Sequence, residues 1–331
     1  MPSVEWLESP TIGDLDPVAD LLNRWSAEVI PGERPMPVAE LDAMVNRGPA
    51  HQDARLAVVA ERDGIAGAAV LVTQDLEGRR NDAYLDFLVT SPEARRRGVA
   101  RALLEAVVVC ARKATRSRLT GSSVAGDSAA EAFARSCNAE PELLELQNRA
   151  STSAMDGEML RGWVERAQDR GKEYSLIRAD GILPDDLQAG YAALASVMNT
   201  APHGPNLEDL VLSGADVLEL QRAYEDHGFR RWTVIARHDP SGDLAGFTEL
   251  MISPFRPWIA FQWDTGVDPK HRNLGLGRWL KAANALRVLE ERPEVEEIET
   301  WNAASNASML GINRAMGFKT VAEWQSWEMP I

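Results

Sequence analysis

The sequence predicts an α/β protein of the α+β type, built as two tandem copies of one domain in which strands and helices interleave. Two observations carry this. The first is an internal repeat: YLDFLVTSPEARRRGVARALLEAV at 84–107 lies against FQWDTGVDPKHRNLGLGRWLKAAN at 261–284. Pro92 meets Pro269, Arg95 meets Arg272, Gly98 meets Gly275 and Ala100 meets Gly277. Upstream, GIAGAAVLV (64–72) faces DLAGFTELM (243–251) at nearly the same spacing. A repeat of this length signals a duplicated unit. The second observation is that strand and helix signals follow the same order in each copy. The division expected is 1–149 and 150–331.

In the first copy VEWLES reads as a strand. LDPVADLLNRWSAEVI and PVAELDAMVNRG read as helices. ARLAVVAERDGIAGAAVLVTQ is a hairpin turning at Asp63-Gly64, since Asp-Gly suits a tight turn. DAYLDFLVT is a strand that Pro92 ends, because proline lacks the N–H a ladder needs. From Gly98, Val99, Leu103, Val107 and Cys110 recur at helical spacing. RLTGSSV, SAAEAFARSC and ELLELQN follow as strand, helix and strand. In the second copy EYSLIRADG is a strand, and PDDLQAGYAALASVMN and DVLELQRAYEDHG are helices. RRWTVIARHDPSGDLAGFTELMIS is a hairpin turning at 240–243. WIAFQWDTGV is a strand, and GLGRWLKAANALRVLEE is a helix with Trp279, Ala283, Leu286 and Leu289 on one face. EEIETWN, NASMLGINRAM (closed by Gly317) and FKTVAEWQSWEM complete the copy as strand, helix and strand.

Composition limits function. The 331 residues hold 35 Lys+Arg and 50 Asp+Glu, a formal net charge of −15. Residues 1–150 carry 17 basic and 23 acidic side chains, and the remainder 18 and 27, so neither half is a basic arm. Phosphate backbones and anionic lipids need a basic face, so neither nucleic acid nor a membrane surface is an expected partner. The two cysteines, Cys110 and Cys137, form no CxxC pair. A cytoplasmic protein without disulfides is therefore expected. No apolar stretch is long enough to span a membrane. The histidines at 51, 203, 227, 238 and 271 lack metal-ligand spacing, so no metal is expected.

Each copy has a strand, a proline, and then Arg-x-x-Gly-x-Gly/Ala opening a helix: RRRGVA at 95–100 and RNLGLG at 272–277. A helix start offers unpaired N–H groups and a partial positive charge, and glycine lets an anion approach them. An ordinary helix start with incidental glycines would read the same in one copy; its recurrence in matching context favours a pyrophosphate site. No Walker motif is present, and Gly275-Leu276-Gly277-Arg278-Trp279-Leu280 lacks the third glycine of a dinucleotide fingerprint.

VDPKHRNLGLGRWLKAAN and the downstream TWNAASNASMLGINRAMGF resemble the GNAT superfamily of N-acetyltransferases, in tandem. The resemblance implies a mixed, strongly bent sheet whose fourth and fifth strands splay apart to admit the pantetheine arm of acetyl-CoA. It implies that main chain around Arg272, Asn273, Leu274, Gly275, Leu276 and Gly277 holds the pyrophosphate. Thr265 to Val267 would pair with pantetheine and polarise the thioester, and Asn306 would touch the cofactor. In the first copy Arg95, Arg97, Gly98 and Ala100 would be the counterparts.

Acetyl transfer needs a neutral amine, hence a base. The resemblance puts Glu249 in that role; as a residue on an alternating strand it could equally face solvent. Val70 stands at the matching site of the first copy, which is therefore expected to be degenerate and the second catalytic. The tyrosine that often protonates the thiolate is replaced by Asn313, which can hydrogen-bond but not usefully donate a proton. The acceptor wall implied by the resemblance holds Asn199, Thr200, His203, Asn206, Gln262, Asp264, Trp324 and Trp327. Asp264 would grip a cationic acceptor or simply be an exposed strand acid; the tryptophans could be plain edge packing. The expected function is an N-acetyltransferase acting on a small-molecule amine, as a monomer or homodimer. The alternative is a non-catalytic acyl-CoA-binding sensor or scaffold.

Overall fold

A computed structural model describes residues 2–30, 32–48, 51–62, 64–170 and 172–331. The expected turn residue Asp63 lies outside them. In chain order the elements are β1 (Glu5–Leu7), α1 (Ile12–Val29), α2 (Val38–Asn46), β2 (Gln52–Glu61), β3 (Gly64–Gln74) and β4 (Asp82–Thr90). Then come α3 (Val99–Lys113), β5 (Arg118–Val124), α4 (Ser128–Ser136), β6 (Glu140–Ser151), α5 (Gly157–Arg170) and β7 (Tyr174–Asp180). Next are α6 (Asp185–Ala195), α7 (Gly214–Asp226), β8 (Arg230–His238), β9 (Leu244–Ile252) and β10 (Ile259–Val267). The chain ends with α8 (Leu276–Glu291), β11 (Glu297–Ala303), α9 (Ala307–Ala315) and β12 (Lys319–Pro330).

The chain forms two compact units that are not its simple halves. Unit 1 comprises Met1–Leu144, Gly204–Glu208 and Ala322–Ile331; unit 2 comprises Glu145–His203 and Asp209–Val321. The sheet of unit 1 runs β1-β2-β3-β4-β5-β12, and that of unit 2 runs β6-β11-β10-β9-β8-β7. Each sheet therefore takes one strand from the other half of the sequence. Trp324 pairs with Val124 and Pro330 with Arg118 in unit 1. Glu297 pairs with Ser151 and Ala303 with Glu145 in unit 2. Strand pairing is set by long-range register and burial, which local patterning does not encode.

Both sheets are mixed. The β4–β5 pair is parallel in unit 1, and the β10–β11 pair in unit 2. In unit 1, α3 covers one face, burying Val99, Leu103 and Val107 against Ala57, Ala69 and Leu119. On the other face α1 buries Leu15, Val18 and Leu22 against Leu56, Val70 and Val89, with Leu41 of α2. Each such fully buried branched side chain contributes about 1.5–3 kcal/mol relative to exposure. Unit 2 repeats the plan. Trp279 and Leu280 of α8 pack on Val234 and Ala245, and Ala282, Ala285 and Val288 on Leu250 and Ala260. Leu183, Tyr191 and Leu194, with Val217 of α7, cover Ile235 and Phe247 on the opposite face.

Local chemistry starts several helices. Thr11 and Asp14 form a capping box before α1, and Ser213 and Asp216 another before α7. Gly317 takes φ +92° just past α9, as a left-handed helix end requires. The polar helix α5 has no counterpart in the sequence reading; its apolar residues are few, although Leu160 is fully buried.

Candidate active site

The strand–proline–glycine segment has the same backbone in both units. In unit 2, Val267 ends β10, Pro269–His271 makes a 3₁₀ turn, Asn273 takes φ +66° and Gly275 takes φ +84°, ψ 5°. In unit 1, Pro92–Ala94 makes the turn, Arg96 takes φ +64° and Gly98 takes φ +85°, ψ 4°. The left-handed glycine turns the chain into the helix and leaves the first N–H groups of α8 or α3 free of side-chain caps. Asparagine tolerates this region better than most residues; Arg96 takes it at greater cost. A Cβ on Gly277 would meet Ile312 at 3.6 Å and Val267 at 3.9 Å, ordinary contacts, consistent with alanine at the matching Ala100.

The splayed notch is present in each unit. In unit 2 the β10–β11 pairing ends at Phe261–Glu299. In unit 1 the β4–β5 pairing ends at Leu85–Gly121. Beyond those points β10 and β4 carry backbone donors and acceptors with no strand on that side. An extended ligand can pair there as an added strand. A β-bulge marks the same place. It falls between Gln262 and Thr265 in β10 and between Leu85 and Phe87 in β4. A bulge of this kind re-aims side chains, here beside the notch.

In unit 2 the sheet face under α6 and α7 holds a buried polar cluster. The Oε1 of Glu249 on β9 accepts hydrogen bonds from the Tyr191 hydroxyl of α6 and from Arg231 Nη2 of β8. Its Oε2 has no partner among the described residues. Nη1 of Arg231 is buried without a hydrogen-bond partner. Burial pushes the Tyr191 phenol above its ordinary value, so it stays a donor. Burial pulls the Arg231 guanidinium down, opposed by Tyr191, Tyr224 and Asp264. Asp264, at the bulge, is open to water yet ringed by protein; that enclosure raises its carboxyl, while Arg231 works against the rise. Next to it, Trp263 packs edge-on to Tyr224 of α7 at 6.0 Å. The cluster thus pairs Glu249 with the Arg231 guanidinium, within the electrostatic reach of Asp264 and beside an aromatic wall.

The other expected site residues fall as follows. Thr265 shares a hydrogen bond with Thr248 at 2.7 Å. Gln262 is buried and spends its amide on the Glu249 carbonyl at 2.6 Å and Thr248 Oγ1 at 3.0 Å, inside the sheet. Arg272 braces the loop, donating to the Val267 carbonyl at 3.0 Å and to Thr200 Oγ1 at 2.7 Å. Leu274 is exposed at the loop tip and Leu276 is buried. Asn306 caps α9, accepting from the Met309 N–H at 3.2 Å. Asn313 is 1 % exposed and donates to Asn302 at 2.7 Å; its Oδ1 has no partner. His203 lies 3.2 Å from the Asn199 carbonyl. Arg95 pairs with Glu28 at 2.6 Å and Arg97 with Glu61 at 2.8 Å, both at the surface.

Trp324, Trp327 and Asn206 belong to unit 1. There Trp327 donates to Ser123 at 2.9 Å, Trp324 packs on Trp25 at 6.2 Å, and Asn206 donates to Glu328 at 2.8 Å. The strand exchange carries the tryptophans across. Arg231 and Tyr224 had no sequence signal beyond being a charged residue at a strand start and an aromatic residue in a helix. Among the described residues, no group of three or more His, Cys, Asp or Glu could hold a metal ion, and no helix is long and apolar enough to cross a membrane.

A splayed mixed sheet, a bulge at the splay and a left-handed glycine opening the next helix define an acyltransferase fold, present twice. The chain belongs to the acetyltransferase (GNAT) family, whose model matches residues 20–138 and 202–318. It is 29 % identical over 265 residues to a mycothiol acetyltransferase of Clavibacter michiganensis subsp. michiganensis, covering 77 % of this chain and 78 % of that one. A mycothiol acetyltransferase of Kocuria rhizophila is 28 % identical over 274 residues, covering 79 % and 80 %. Among solved structures, a tandem GNAT protein from the clavulanic acid biosynthesis pathway superposes with a TM-score of 0.79 at 25 % identity, covering 99 % of this chain and 98 % of its own. A GCN5-related N-acetyltransferase from Sphaerobacter thermophilus has the same fold, with a TM-score of 0.70 at 15 % identity, covering 99 % and 95 %.

Proposed function

We propose that the protein is an N-acetyltransferase that moves the acetyl group of acetyl-CoA to the amine of a small molecule by direct attack, chiefly in unit 2. The observation that carries this reading is the conjunction in one unit of the pyrophosphate-type loop and a polar cluster on the sheet face beside the bulge in β10. The N–H groups at 274–277 would hold the pyrophosphate, and the free edge of β10 from Thr265 to Val267 would pair with pantetheine. Main-chain donors there would stabilise the oxyanion as the tetrahedral centre forms. Asn306 sits at the start of the helix bordering the same loop.

Glu249 serves as the base through Oε2, since Oε1 is held by Tyr191 and Arg231. The ammonium gives one proton to that oxygen, the freed nitrogen lone pair bonds to the acetyl carbon, the C–S bond breaks to release CoA thiolate, and the surplus N–H proton of the adduct goes to solvent. Asn313 can support that thiolate only by a hydrogen bond, so solvent supplies its proton. Asp264 attracts the acceptor in its ammonium form, with Trp263 and Tyr224 flanking. The names of the mycothiol acetyltransferases suggest a small-molecule acceptor here too. A soluble cytoplasmic setting and a monomer or homodimer fit this reading.

Two features favour the alternative, an acyl-CoA-binding sensor: Asn313 in place of a proton donor, and Glu249 already paired with a cation. The deciding experiment is a panel of small amines incubated with acetyl-CoA while thiol release and acetylated product are followed. Transfer that falls in the Glu249→Gln variant supports the enzyme. Tight acetyl-CoA binding with no acceptor acetylated by the wild type supports the sensor.

A further inference from the structure

We propose that unit 1 contains a second acceptor site for a protonated amine, in which Asp86 receives the amine's proton. Val70 occupies the position of Glu249, which makes unit 1 look inert. The bulges tell otherwise. Each strand carries one extra residue near the last β4–β5 or β10–β11 pair. In unit 2 Trp263 and Asp264 lie across from Glu249; in unit 1 Asp86 is inserted between Leu85 and Phe87, and Phe87 pairs with Val70. Each place holds one aromatic and one carboxylate, in opposite order.

The side chains point to corresponding faces. Phe87 packs against the buried cluster that includes Leu22, Val70 and Val89, on the face covered by α1 and α2. Its neighbours Leu85 and Leu88 pack on the α3 face. Normal alternation puts Asp86 opposite Leu85, so the bulge sends both Asp86 and Phe87 toward α1 and α2. This is the face equivalent to the one where the Asp264 carboxylate acts electrostatically on Tyr191 and Tyr224 in unit 2.

Asp86 has no hydrogen bond or ion pair among the described residues. It is open to water yet enclosed by protein, and burial alone pushes its carboxyl up to about 6; no charged group of α1, α2, β3 or β5 contributes. A water-exposed carboxylate at this bulge with no cation beside it is free to take one, and an ammonium fits. The donor side is also in place. The free edge of β4 beyond Leu85 and the left-handed Gly98 repeat what unit 2 offers an acyl-CoA.

The step balances without a further reactant. The ammonium gives a proton to the Asp86 carboxylate, and the nitrogen lone pair bonds to the acetyl carbon. The C–S bond breaks, CoA leaves as thiolate, the surplus N–H proton of the adduct goes to solvent, and Asp86 releases its own proton to solvent. The proposal rests on the acetyl-transfer reading of the family but not on Glu249.

The test uses the full chain with acetyl-CoA and four amines: cysteamine, glucosamine, spermidine and lysine methyl ester. Wild type is compared with a Glu249→Gln/Asp264→Asn double variant and the same variant carrying Asp86→Asn. Thermal melts confirm folding. The double variant is expected to keep measurable transfer. Adding Asp86→Asn should lower that remainder roughly hundredfold in kcat, the usual size of a base's contribution, with the acetyl-CoA KM unchanged. The acid limb near pH 6 in kcat/KM should vanish with it. Wild-type transfer with no remainder in the double variant, or a remainder indifferent to Asp86→Asn, overturns the second site and leaves unit 2 chemistry standing. If wild type acetylates none of the four, the transfer reading falls. Binding then decides: ethylammonium titrated into protein labelled with ¹³C-aspartate should move one carboxyl resonance that is missing in the Asp86→Asn variant. Absence of that shift overturns the site.

Discussion

Glu249 and Arg231 form a buried ion pair on adjacent strands, β9 and β8, and the Tyr191 hydroxyl donates to the same carboxylate oxygen. This pair decides how the second unit can work. A guanidinium and a phenol on one carboxylate oxygen fix its rotamer and leave the other oxygen to act. Removing one partner leaves the other charged and buried. Arg231→Met should therefore destabilise the protein by about 3–5 kcal/mol. Glu249→Gln keeps the shape, and is expected to lower kcat by roughly 10²–10⁴ while leaving acetyl-CoA binding intact. Chemical denaturation and steady-state kinetics check the two statements.

Tyr191→Phe removes one donor to a charged acceptor and nothing else of size. The expected cost is about 1.5–3 kcal/mol of stability. Activity should survive in part, because Arg231 still orients Glu249. Loss of activity as complete as in Glu249→Gln would instead make the phenol a direct participant.

The two glycines of each loop should respond differently. Gly275→Ala forces a Cβ into φ +84°, at a cost of roughly 1–2 kcal/mol. It should weaken acetyl-CoA binding in unit 2, and Gly98→Ala should do the same in unit 1. Gly277→Ala should be nearly silent, since its added carbon meets only ordinary contacts. Calorimetry with acetyl-CoA on the three variants separates these outcomes.

Lys281 predicts a pH effect. It lies on α8, 1 % exposed, with its ammonium 5.5 Å from the Phe318 ring centre. Burial lowers it from 10.5 to about 7. Between these values the unfolded chain binds more protons than the folded one, so stability rises with pH across this window and is lowest below about 7. Lys281→Met should raise the melting temperature most near pH 6–7 and flatten the rise between pH 7 and 9. A parallel pH dependence in variant and wild type would show that the ammonium finds water in the folded state.

Asp264→Asn removes the carboxylate proposed to attract the acceptor. KM for the amine should rise more than tenfold and kcat should change less. An equal fall in kcat with KM unchanged would move Asp264 from binding into the proton-transfer step.

Much of the site is local and therefore legible. Arg-x-x-Gly-x-Gly/Ala after a strand and proline specifies a backbone path, and Asn273, Gly275 and Gly98 take it from their own conformational preferences. Glu249 is legible as an acid in an apolar strand, and the helix that Gly317 closes reads directly. Asp86 is not legible. Its strand alternates normally up to Leu85, and only the register against β3 shows that a residue has been inserted. Arg231 reads as one more charged residue at a strand start until β9 lies beside it.

By itself the sequence determined that one unit is present twice, which elements follow which, and where a helix opens with bare N–H groups, because these depend on the conformational preferences of a few neighbouring residues. Tertiary structure decided which strand completes each sheet, which way the bulged carboxylates face, and which cation meets Glu249. Those depend on pairing between segments far apart in the chain, where burial and ladder hydrogen bonds outweigh any local preference.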